Sequence, residues 1–350
     1  MRYPKNLPDN GRIGFVAPSF GAGSEPYITR INTAFENFEE LGYKNVIGPN
    51  VYADSGIGKS NTAEKCAEEI NDFFINDKCD IILSAGGGET MCEDLDYVDF
   101  KAISQARPIW YMGYSDNTNL TMLLPTLCDT AAVYSSCAGS FFEKPWHKSQ
   151  QDAFDLIRGK KLEFTNYDKW ELTESMEAET NPLAGINATE DFKLSVFNNG
   201  ELYRDVDAVN LTAEGRLLGG CLDVMAVLVG TKYDKVREFN KKYEKDGVLW
   251  FIEACDLNVF SMRRALWQMG NAGWFDTAKG FLVGRPMHYD EPIMGLDRFK
   301  AVTDMLEKYN VPIIFDLDIG HLPPRMPMLT GAMAKATVSG NSFKIKYELV

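Results

Sequence analysis

Residues 108–117 read PIWYMGYSDN, an apolar run that ends in glycine and passes directly into Ser115, Asp116 and a helical stretch. A run this short, bounded by Pro108 and Gly113, predicts a buried strand. A serine at a sharp strand-to-helix turn has its hydroxyl exposed where backbone N–H groups converge, which is the geometry a nucleophile needs. Gly113 suits such a turn, because glycine tolerates close approach and unusual backbone angles. The familiar elbow is G-x-S-x-G, and here Asn117 stands in place of the second glycine. The plainer reading of the same residues is that Ser115 or Asp116 caps a helix starting near Asn117.

Working outward, residues 12–18 (RIGFVAP) predict another buried strand. Residues 25–41 predict a helix, with Ile28, Ile31, Ala34, Phe35 and Phe38 at helical spacing and Gly42 as the stop. A short strand is expected at 45–47. An amphipathic helix is expected at 62–76, with Ala63, Cys66, Ile70, Phe73 and Phe74 on one side. Residues 81–84 predict a strand that runs into the glycines at 86–88. Strands alternating with helices imply a parallel sheet covered on both faces. This pattern defines an N-terminal α/β domain over residues 1–150. Residues 144–190 are polar and weakly periodic, so 151–190 is read as a linker, with a helix at 149–157 and exposed strands after it. A second α/β domain is expected over 191–350. Its strands are expected at 248–252, 280–283, 313–316 and 342–348, and its helices at 220–229, 261–272 and 296–309.

The chain has 350 residues and a formal charge of −14. An excess of acid this large argues against nucleic acid and anionic membrane surfaces as partners, because both are bound through Lys and Arg patches. A small anionic substrate stays open, since a local cluster can overcome the global field. The seven cysteines are odd in number and form no CxxC pair, which predicts reduced thiols in a cytoplasmic protein. No apolar run approaches the roughly 18 residues that cross a bilayer.

A hydroxyl nucleophile needs a base, and the chain offers His147, His288 and His321. His147 lies in the polar stretch beside Trp146 and Lys148 and is read as a surface residue. His288 is read as a loop residue or a substrate contact. His321 follows a strand and a glycine in FDLDIGHLPP (residues 315–324), a rigid setting that suits a base that must be aimed. The base needs an orienting carboxylate. Glu253 ends the apolar run VLWFIE at 248–253, where a carboxylate is costly unless paired. Asp256, Asp316 and Asp318 are the alternatives. The loop AGGGE at 85–89 leaves N–H groups open to an oxyanion, phosphate or carboxylate. It does not match a dinucleotide fingerprint. Taken alone, this loop also fits a plain tight turn, or a non-catalytic α/β module that binds a small anion.

Together these blocks resemble the LD-carboxypeptidase family, the serine peptidases of the S66 type. The marks are RIGFVAPS at 12–19, the glycine loop before DLDYVDF at 94–100, GYSD at 113–116, LLGGCLDVMAVLVGT at 217–231, VLWFIE followed by RRALWQMGNAGWF at 263–275, and GH at 320–321. The resemblance implies a flavodoxin-like N-terminal domain and a C-terminal α/β domain of β-barrel-like character. It also implies a catalytic set of Ser115, Glu253 and His321, and oxyanion donors at the N–H of Asp116 and of Gly87 or Gly88. Metal and organic cofactors are not required, and a homodimer is expected. Arg264 matches a family arginine and is given no catalytic role. The implied substrate is a small peptide, foremost a murein-derived tetrapeptide with an L,D-amide bond. The loop AGGGE and the block GYSDNTNL are closer to the subgroup that confers immunity to microcin C. Those relatives cleave aminoacyl or peptidyl sulfamoyl-adenylates, and Trp146, Tyr167 and Trp170 could offer aromatic faces to a base. Ordinary packing is the favoured reading of these three rings.

Overall fold

The computed structural model describes residues 1–172, 180–204 and 209–350. Residues 173–179 of the expected linker and 205–208 of the expected second domain lie outside them. The chain divides into two units. One is built mainly of Met1–Lys161 with Pro327–Leu329, the other mainly of Ala188–Met326 and Thr330–Val350 together with residues 162–172.

The first unit carries a six-stranded sheet in the order Met328–Thr330, Ala132–Tyr134, Trp110–Gly113, Ile81–Ser84, Arg12–Val16, Lys44–Ile47. The last five of these run parallel to one another. In chain order that is the 2-1-3-4-5 arrangement of flavodoxin-like folds, whose ligand sites lie beyond the carboxyl ends where the strand order reverses. Here the reversal falls between Arg12–Val16 and Ile81–Ser84. The strand Ile81–Ser84 is buried at every position, as its unbroken apolar run requires. Helix Tyr27–Glu40 buries Ile31, Ala34, Phe35 and Phe38, and helix Ala63–Ile75 buries Cys66, Ala67, Ile70, Phe73 and Phe74. Each Ile or Phe among them contributes about 1.5–3 kcal/mol relative to exposure.

The second unit holds a nine-stranded sheet. Its four central strands, Ile313–Leu317, Ala278–Gly284, Val248–Glu253 and Asn210–Cys221, are parallel to one another. Antiparallel strands complete both sides: Ser195–Asn198 and Glu201–Tyr203 on one, Met333–Ser339, Ser342–Glu348 and Glu163–Thr165 on the other. The expected helix at 220–229 begins only at Leu222, because the preceding strand extends to Cys221. Gly219 permits this. Its φ is 152°, and a Cβ there would lie 1.8 Å from the Phe251 carbonyl oxygen. No helix among the described residues is long and apolar enough to cross a membrane.

Candidate active site

Ser115 leaves the strand Trp110–Gly113 and opens a 3-10 turn, Ser115–Asn117. Its φ is 64°, a left-handed angle for a residue with a Cβ. Such a conformation costs about 1–3 kcal/mol and persists only where the surroundings impose it. The surroundings are specific. The Ser115 N–H donates to the Tyr134 hydroxyl at 3.1 Å. Asn117 Nδ2 donates to the carbonyls of Gly86 and Tyr114, both at 2.9 Å, and so ties the glycine loop to the turn. The turn has no side-chain cap, so the simple capping role considered for Ser115 and Asp116 is not what the structure contains.

Asp116 is buried, and its carboxylate accepts from Ser19 Oγ at 2.5 Å, Met91 N–H at 2.9 Å and Asn119 Nδ2 at 3.0 Å. Burial raises its pKa, and the Ser19 and Met91 hydrogen bonds pull the other way. The side chain is thus committed to the fold. Its N–H belongs to the first turn of a helix, where N–H groups have no intrahelical acceptor. Gly87 lies against Ser115: a Cβ on Gly87 would sit 3.1 Å from Ser115 Cβ and 3.3 Å from its Oγ. The loop therefore passes beside the serine hydroxyl because it carries no side chain there.

In the second unit, Glu253 ends the buried strand Val248–Glu253, and His321 follows the strand Ile313–Leu317. Glu253 is 1% exposed, and its Oε2 lies 2.8 Å from His321 Nδ1. A carboxylate can only accept, so Nδ1 carries the proton and Nε2 keeps its lone pair. Gly320 makes this approach possible, with φ 106° and a would-be Cβ only 2.5 Å from Glu253 Oε2. Arg325 then holds the loop: its Nε donates to the Gly320 carbonyl at 2.7 Å and its Nη2 to the His321 carbonyl at 3.0 Å.

The other carboxylates weighed as partners are engaged elsewhere. Asp316 pairs with Arg298, and Asp318 pairs with Arg285 and accepts the Tyr167 N–H at 2.8 Å. Asp256 is exposed. His288 pairs with Glu291 at 2.7 Å on the surface, and Arg264 is exposed and donates to Ser261 Oγ. His147 is not the surface residue expected. It is half-buried and caps helix Lys148–Ile157, with burial lowering its pKa. The three aromatics are packed. Trp146 lies among Phe38, Phe141 and Phe154, and Tyr167 is 4% exposed. Trp170 has the Arg285 guanidinium 4.6 Å from its ring centre and the Tyr289 ring at 4.9 Å.

The family model of the LD-carboxypeptidase N-terminal domain matches residues 13–135, and that of the C-terminal domain matches residues 214–336. The chain belongs to the LD-carboxypeptidase family. It is accordingly a serine hydrolase of the LD-carboxypeptidase type. A Vibrio cholerae protein provisionally named a carboxypeptidase is 23% identical to it, over 99% of this chain and 98% of that one. Two solved structures share the fold. An MccF-like protein from Bacillus anthracis superposes with a TM-score of 0.82 at 18% identity, covering 99% of this chain and 100% of its own. The microcin C7 self-immunity protein MccF, solved in complex with aspartyl sulfamoyl adenosine, gives 0.80 at 19% identity, with 99% of each chain covered.

Proposed function

We propose that this LD-carboxypeptidase relative cleaves an amide bond next to a free carboxylate, with Ser115 as nucleophile, His321 as base and Glu253 as the group that orients it. The observation that carries the reading is the Glu253–His321 hydrogen bond of 2.8 Å, which fixes the tautomer and leaves Nε2 as the proton acceptor. Ser115 Oγ attacks the amide carbonyl and gives its proton to His321. The N–H groups of Asp116 and of Gly87 or Gly88 receive the developing oxyanion, each worth about 3–4 kcal/mol in comparable sites. His321 then protonates the leaving amine, and water clears the acyl-enzyme. Glu253 stabilises the imidazolium throughout.

The foremost substrate is a murein-derived tetrapeptide with an L,D-amide bond, in keeping with the family. A second reading is an aminoacyl or peptidyl sulfamoyl nucleotide. The fold likeness to MccF, solved with aspartyl sulfamoyl adenosine, favours it. On either reading the enzyme is a cytoplasmic homodimer, and its seven free thiols are in keeping with a reducing compartment. Purified protein assayed against both substrates decides between them. Ser115→Ala is expected to lose at least about 10³-fold in kcat while retaining its fold, and a serine-directed phosphonate should label Ser115. Hydrolysis by Ser115→Ala at the wild-type rate would overturn the assignment.

A further inference from the structure

Cys221 has no part in the hydrolysis described above, yet it faces two residues that do. Cys221 and Glu253 are register partners at the carboxyl ends of adjacent parallel strands, Asn210–Cys221 and Val248–Glu253. Register partners in parallel strands place their side chains on the same side of the sheet, with the strands less than 5 Å apart. The loop carrying His321 then brings an imidazole to the same edge. The thiol sulfur, a Glu253 carboxylate oxygen and a His321 ring nitrogen all lie within 4.8 Å of one another.

A thiol, an imidazole and a carboxylate make a distinctive donor set. Zinc binds sulfur at about 2.3 Å and nitrogen or oxygen at about 2.0–2.2 Å, so its tetrahedral ligands stand roughly 3.2–3.6 Å apart. The His321 Nδ1–Glu253 Oε2 contact of 2.8 Å has to open slightly and the sulfur, within 4.8 Å of both, has to draw in, so the side chains rotate as the ion enters. Thiolate favours zinc and other thiophilic ions over magnesium or calcium. One thiolate and one carboxylate neutralise a divalent ion, and Cys221 and Glu253 are both almost fully buried; the Asp223 carboxylate, which accepts the Cys221 thiol at 3.3 Å, adds further negative charge beside them. The His321 side chain keeps 12% of its surface exposed and supplies the route in. Three protein ligands leave a fourth position for water.

We propose that Cys221, Glu253 and His321 form a binding site for zinc or a similar thiophilic divalent cation, and that occupancy switches the hydrolase off. The inhibitory half rests on His321 being the catalytic base; the binding half does not. On binding, the Cys221 S–H bond breaks and its proton leaves to solvent as the S–metal bond forms. One ring nitrogen of His321 donates its lone pair to the metal. If that nitrogen is Nδ1, its proton moves to Nε2; if it is Nε2, the lone pair is used directly. In both cases no ring nitrogen remains to accept the Ser115 proton.

The test uses cobalt(II) as a coloured probe of the purified full chain, with a phosphine reductant that keeps the thiols free. Wild type is expected to develop a thiolate-to-cobalt charge-transfer band at one equivalent, which zinc abolishes by displacement. Cys221→Ser should lack the band, and Cys255→Ser, altered at a half-buried thiol two residues past Glu253 but outside the trio, should keep it. Cys221→Ala, which needs no hydrogen-bond partner, replaces the serine variant if that fails to fold. In the hydrolysis assay, zinc should stop wild type, a chelator should restore it, and Cys221→Ser should need at least about 10–100 times more zinc relative to its own zinc-free rate. No band in wild type, or an undiminished band in Cys221→Ser, overturns the site. A band that depends on Cys221 in a protein that hydrolyses neither substrate upholds the metal site and instead overturns the proposed function.

Discussion

Ser115 holds a φ of 64° between a glycine on one side and the hydroxyl of Tyr134 on the other. On the proposed mechanism this strained angle is what presents Oγ at the end of the strand, at a cost in stability. Stability and function should therefore separate at this one position. Glycine adopts the angle without penalty but adds about 0.4–1 kcal/mol of chain entropy to the unfolded state, against strain of about 1–3 kcal/mol. Ser115→Gly is expected to melt at or above Ser115→Ala, with both inactive, in side-by-side thermal denaturation. A lower midpoint for the glycine variant would show that the turn is unstrained. The glycine loop, Gly113 and Ser115 were legible because they are neighbours in the chain or mark strand ends. Asn117 and Tyr134 were not. Asn117 looked like a departure from the elbow pattern, whereas its amide is the bridge between the loop and the turn.

At the scale of the element, the loop 318–326 shows how the His321 ring is aimed at Glu253. Gly320 admits Glu253, Arg325 grips the carbonyls of the consecutive residues Gly320 and His321, and the Met326 N–H returns to the Asp318 carbonyl at 2.7 Å. Removing the glycine tests the element as a whole. Gly320→Ala must either displace Glu253 or rotate the loop. Misplacing a catalytic group by about 1 Å can cost about 10²-fold. We expect kcat to fall at least about 10²-fold with little change in KM, by steady-state kinetics on the better substrate. An unchanged kcat would mean that the Glu253–His321 contact is dispensable. The strand Asn210–Cys221 tells the opposite story about legibility. Its sequence NLTAEGRLLGGC contains three glycines and reads poorly as a strand. It forms because Val248–Glu253 on one side and Met333–Ser339 on the other both pair with it.

At the scale of the whole molecule, buried acids set the response to pH. Glu69, on helix Ala63–Ile75, accepts the N–H of Ala17 at 2.7 Å and of Asn50 at 2.9 Å, fastening the loops after the first two strands. Burial pushes its carboxyl up from 4.5 to about 7, despite those hydrogen bonds. Asp94 is likewise raised by burial to about 7, with Lys59 pulling down. A group with a raised folded-state pKa binds its proton more tightly when folded, so the stability it contributes is present at low pH. That stability is lost as pH climbs from about 4.5 to about 7, while the unfolded chain ionises and the folded one does not. Unfolding free energy should therefore carry a downward component over this window. Glu69→Gln, though itself less stable for want of one acceptor, should show a shallower fall in urea titrations across it. An equal slope in the variant and wild type would place the Glu69 pKa near its ordinary value.

The sequence by itself determined the alternating strands and helices of the first 135 residues, the serine at a strand end, and the ordered blocks that mark the family. These are signals carried by residues close together in the chain: apolar periodicity, turn glycines and a carboxylate closing a buried run. Tertiary structure decided the rest. It chose Glu253 over Asp256, Asp316 and Asp318, because only Glu253 ends a strand beside the path of the His321 loop. It gave Arg325 its task, and it set Cys221 opposite Glu253. Such pairings arise from strand register and chain crossing, and no local pattern of residues encodes which distant partner a side chain will meet.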